Sequence, residues 1–151
     1  MDETEYRRVY EEVNELRCAF EKAVLTRRFG CSRLARINIG EREAASCTHE
    51  PARNRCLALL ERLRSSAAFA LHTPHAGSPL PHAKEMKVQC GGLLGLQAIL
   101  RPDEATTTGV ADIHTLIDQA QTRFGKLAEF PYGQMVRTIG RFEIRRGRRR
   151  S

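Results

Sequence analysis

The chain has 151 residues, 41% of them hydrophobic and 28% charged, enough for a globular domain that buries a core without covalent staples. No apolar run reaches the roughly 18 to 20 residues of a membrane span, and the acidic opening Met1-Asp2-Glu3-Thr4-Glu5 has the wrong sign for a secretory signal, so the cytoplasm is the expected compartment and no membrane partner is expected. The net charge is +7, but seven arginines and one acid fall between Arg137 and Ser151, which leaves the body nearly neutral and the end strongly basic.

Taken in chain order, Tyr6, Val9, Tyr10, Val13, Leu16, Phe20, Ala23 and Val24 recur at helical spacing and predict one helix over Glu3 to Arg28. Cys18 falls on the side opposite that stripe and is expected to face solvent or a partner. Gly30 marks a stop, and short helical pieces are expected over Ser32 to Ile37 and Glu41 to Ser46, joined through Asn38-Ile39-Gly40. Thr48-His49-Glu50-Pro51 has the composition of a helix start. The helix over Pro51 to Leu71 carries Cys56, Leu60, Leu63, Ala67 and Leu71 on its apolar stripe.

The proline-rich stretch from His72 to His82 reads as a loop. Lys84 to Gln89 suits either helix or strand. Gly91-Gly92-Leu93-Leu94-Gly95-Leu96 predicts close backbone packing. A further helix is expected with Val110, Ile113, Leu116, Ile117, Ala120 and Phe124 on one face, then a short helix or strand over Tyr132 to Phe142. The fold class is therefore all-α: a compact bundle of four to five helices with irregular Gly/Pro-rich connections. Residues 1–143 form one helical domain, cysteine-rich over 31–90, and 144–151 a disordered basic tail.

Cys31, Cys47, Cys56 and Cys90 carry the chemistry. Thiols at this density in a reducing compartment point to metal, redox or nucleophilic roles, and the odd total of five argues against a disulfide framework. Structural zinc sites usually draw ligands from CxxC pairs, and this chain has none. Cubane iron–sulfur clusters need four thiolates and tolerate long gaps. The wide spacing resembles the cluster-holding helical domains of certain DNA helicases and primase large subunits. That likeness covers spacing alone: the chain carries no helicase or primase motif and no Walker-type phosphate loop.

Local context agrees with a cluster. Gly30 precedes Cys31, Gly91 and Gly92 follow Cys90, and glycines let N–H groups approach sulfur. Cys47 precedes a helix start, where the dipole favours a thiolate. Arg27, Arg28, Arg33, Arg36, Arg42, Arg53 and Arg55 crowd the same region and can offset thiolate charge. The expectation is a 4Fe-4S protein held by Cys31, Cys47, Cys56 and Cys90, serving electron transfer, redox sensing or an accessory role with a redox partner protein.

The bland reading of Cys56 is a small apolar core residue. The nearest competing cofactor is zinc on thiolates plus His49, His72, His75 or His82, of which His72-Thr73-Pro74-His75 has ligand-like spacing. Cys47 beside His49 is a weaker candidate nucleophile, with no orienting third group apparent. The alternative function is a nucleic-acid-associated helical module with structural zinc or metal-free cysteines that binds phosphates nonspecifically through Arg145, Arg146, Arg148, Arg149 and Arg150. Its bland counterpart is a solubilising tail.

Overall fold

The computed structural model describes residues 2–73 and 80–143. His75 and the Arg145 to Arg150 tail lie outside the described residues. The expectation of disorder over 144–151 therefore has no structural counterpart here. The described chain is mostly helical, with one small two-stranded sheet. Among the described residues no helix is long and apolar enough to cross a membrane.

Helix α1 runs Glu3–Val13, capped by the Asp2 carboxylate accepting from the Glu5 N–H at 2.7 Å. It stops well short of Arg28. The buried Asn14 side chain donates to the Ala45 carbonyl at 3.0 Å. The backbone beyond is drawn out: Cys47 N–H donates to the Leu16 carbonyl at 2.7 Å and Cys18 N–H to that of Ala45 at 3.1 Å. Helix resumes only in the single turn α2, Glu21–Val24. The expected 26-residue helix is thus two helices with an extended segment between them. The apolar stripe survives, but tertiary hydrogen bonds to a strand outweigh local helical ones.

Those bonds are available because residues 32–46 are not helical. Strands β1 (Leu34–Ile39) and β2 (Arg42–Cys47) form an antiparallel hairpin in which Leu34 faces Cys47 and Ile39 faces Arg42. Gly40 begins the two-residue turn at φ 65°, the first central position, which type II′ hairpins give to glycine. Ala44 and Ala45 are fully buried. The buried Glu21 carboxylate pins β2 from the other side, accepting from Ala45 N–H and the Tyr10 hydroxyl, each at 2.8 Å.

The rest follows the pattern closely. Helix α3 spans Glu50–Leu71, its start capped by the His49 ring accepting from Ala52 N–H at 3.2 Å, with Pro51 in the first turn. Helix α4 (His82–Met86), one π-turn (Lys87–Gly91) and helix α5 (Gly92–Leu100) form a continuous helical run. Helix α6 spans Ile113–Phe124 and α7 Tyr132–Arg141. Helix α7 packs on both α3 and α5. A Cβ on Gly91 would sit 2.6 Å from the Ile139 Cα of α7, so the glycine-rich stretch is where two backbones meet. One hydrophobic cluster joins these helices to Phe20, Val24 and Ala45. Phe29 and Gly30 are stitched to Val110 by a parallel bridge, with Gly30 N–H donating to the Val110 carbonyl at 2.9 Å. The segment ahead of Cys31 is thereby held against the approach to α6.

Candidate metal centre

Four cysteines line one small pocket: Cys18, Cys31, Cys47 and Cys56. They come from four separate stretches. Cys18 sits on the extended segment, Cys31 on the loop after the Phe29 bridge, Cys47 at the end of β2 and Cys56 in the second turn of α3. The hairpin register carries Cys47 alongside Leu34, three residues past Cys31. Phe20, Leu34, Ala52 and Ile113 make the remaining walls largely apolar, with Arg33, Arg53 and His114 at the margin. All four thiols are free and half-buried.

The sequence expectation for Cys18 is overturned. It does not sit on the outer face of a helix, because no helix passes through it. It points into the pocket. Cys90 lies apart, fully buried in the π-turn beside Met86, Phe29 and Phe142. Of the four residues expected to converge, Cys31, Cys47 and Cys56 come together, and Cys18 rather than Cys90 completes the ring. Periodicity hid Cys18. The available signals were Asn14, a polar break within an apolar stripe, and the Ile37-Asn38-Ile39-Gly40 alternation that announces a hairpin.

The Arg33 N–H donates to Cys31 Sγ at 3.4 Å, which favours a thiolate. Burial works the other way and prevails: it pushes the Cys18 and Cys56 thiols up to about 12 and raises that of Cys31 as well. Negative charge on Cys31 or Cys47 would raise Cys18 further, and charge on Cys18, Cys31 or Cys47 would raise Cys56. Cys18, Cys31 and Cys56 are therefore held as neutral thiols at neutral pH.

Among the described residues, no three His, Cys, Asp or Glu side chains are gathered as a single metal ion requires. The thiols ring the pocket instead of meeting at a point. The free space between them is about 20 Å³, roughly one water-sized probe. Seating anything larger requires the thiols to spread. Cys18, Cys31 and Cys47 stand on non-helical backbone or at a strand end, where small shifts cost least.

The histidines do other work. His49 caps α3, His72 ends it in the left-handed region at φ 57°, and His82 Nδ1 accepts from Lys22 Nζ at 2.9 Å. The Cys47 thiol donates to the His49 carbonyl at 3.3 Å, not to its ring, so the candidate nucleophile lacks its base. His114, not singled out by spacing, is the histidine that borders the thiols. Its ring lies 3.5 Å from the Asp118 carboxylate, which also accepts from Arg55 at 2.6 Å. In comparisons of this chain with protein-family models, curated proteins and solved structures, nothing matches.

Proposed function

We propose that the protein holds one 4Fe-4S cluster through Cys18, Cys31, Cys47 and Cys56 and acts in a redox role, as an electron carrier, sensor or accessory factor. One observation carries this reading: four free thiols from four distant stretches line a single largely apolar pocket. The ligand set differs from the sequence expectation by the exchange of Cys90 for Cys18. A bound cluster supplies one-electron redox chemistry.

The chain's own residues then have defined parts. The Arg33 N–H donates to the Cys31 sulfur, which stabilises thiolate charge and raises the potential. Arg33 and Arg53 offset the negative charge of four thiolates at the pocket margin. Phe20, Leu34, Ala52 and Ile113 exclude water, while the half-exposed cysteines leave one edge within reach of a partner. A reducing compartment such as the cytoplasm keeps the thiols available.

Anaerobic purification tests the reading. The protein should be brown and contain about four irons and four sulfides per chain. Cys18→Ser, Cys31→Ser, Cys47→Ser and Cys56→Ser should each lose more than half of that iron, and Cys90→Ser should retain it. Colourless protein carrying one zinc, or iron lost with Cys90→Ser but kept with Cys18→Ser, would overturn it.

A further inference from the structure

A cavity of about 490 Å³ lies away from the thiols, between α5, α6 and α7. Arg123, Arg137 and Arg141 line it together with Gln134 and Thr138, and its lining contains no carboxylate. Arg123 is held in place: its guanidinium donates to the Ile99 carbonyl at 3.2 Å and lies 5.2 Å from the Phe124 ring centroid. Arg137 and Arg141 are exposed and one turn apart on α7. In sequence the same spacing continues to Arg145, which opens the run Arg145, Arg146, Arg148, Arg149 and Arg150. Three guanidinium groups around a concave, acid-free surface form an anion site. Planar guanidinium forks match phosphate oxygens in pairs.

From this we infer that the α5–α6–α7 groove binds the phosphate backbone of a nucleic acid, independently of the thiol centre. An arginine run that follows α7 in the sequence suits a repeating polyanion better than a single small phosphate. A lipid surface fits less well, because the exposed positions of α7 are Gly133, Gln134, Arg137, Gly140 and Arg141, with no large apolar side chain to insert. An acidic protein partner fits less well for a related reason: protein interfaces rest on apolar or aromatic anchors, and the large hydrophobics exposed among the described residues, Val13 and Phe69, lie elsewhere. Phe124, the aromatic of the lining, is half-buried with Arg123 beside its ring, so base stacking is not indicated and binding reads charge and not sequence.

Anisotropy of a short fluorescein-labelled duplex DNA, titrated with the full chain at low and rising salt, tests this. The wild type should bind, and Arg137→Ala/Arg141→Ala should weaken binding several-fold and flatten the slope of log affinity against log salt by about two, roughly 0.9 per lost phosphate contact. Both positions are exposed, so the variant should keep its far-ultraviolet circular dichroism. Cys31→Ser should bind duplex as the wild type does. The inference fails if the full chain does not bind at low salt. It fails equally if the double variant keeps wild-type affinity and slope while deletion of 144–151 removes all binding, or if anionic vesicles or polyglutamate outcompete the duplex.

Discussion

Asp112 shows how one side chain serves two distant parts of the chain. It caps α6, Oδ1 accepting from His114 N–H at 3.1 Å and Oδ2 from the Thr115 hydroxyl at 2.8 Å. Oδ1 also accepts from Ser32 N–H at 2.9 Å, which fixes the turn that carries Cys31. Burial alone would raise the Asp112 carboxyl, but hydrogen bonds from Ser32 and Thr115 outweigh it and hold the group below the usual carboxylate range. A lowered carboxyl pKa stabilises the fold above the unfolded value of about 3.9, and that contribution is lost as pH falls further. Asp112→Ala should cost about 1–2 kcal/mol in urea melts at pH 7, and the gap between variant and wild type should close below about pH 4. The thiols have the opposite sign. With Cys18 and Cys56 pushed up to about 12 by burial, protons compete with any metal throughout the neutral range. Reconstitution followed by visible absorption should therefore improve as pH rises from about 6.5 to 8.5.

At the scale of elements, helices α3 and α6 were legible because their apolar positions and starts agree: Pro51 in one first turn, and in the other the Ile113, Leu116, Ile117, Ala120 stripe, all buried. The hairpin was not. Leu34 to Cys47 mixes alanine with arginine and glutamate, and its short length matches either period; pairing across Gly40 decides it. The same pairing breaks the first helix, since β2 accepts the bonds of Asn14 and Cys18. The glycines of α5 and the π-turn were read correctly as a close approach. Gly91→Ala should destabilise the protein by about 1–3 kcal/mol, because the added methyl meets backbone that cannot swing away. Gly133→Ala, on the same α7 but with nothing within 4 Å of its Cβ, should instead stabilise by up to about 1 kcal/mol. Thermal melts of the pair separate packing from propensity.

For the molecule as a whole, the pocket cysteines all come from the first 56 residues, whereas the glycine-packed contacts belong to α5 and α7. Removing a bound cluster should therefore not unfold everything. Hydrogen exchange after chelation should rise across residues 14–47 and the start of α3, while α5 and the buried face of α7 stay protected. Uniform loss of protection would mean that the core depends on the centre.

Composition and periodicity by themselves determined that this chain folds mainly as helices with apolar stripes, that its thiols are numerous and unpaired by any short motif, and that its end is basic. These are local properties, set by residue type and spacing of three and four. Which thiols line one pocket was decided by tertiary structure alone. A two-stranded hairpin, whose partners are hydrogen-bonded across a turn, pulled the Cys18 segment out of its helix and paired it with β2, Arg17 opposite Ser46. Helical packing at Gly91 and Ile139 carried Cys90 into the core, away from the others.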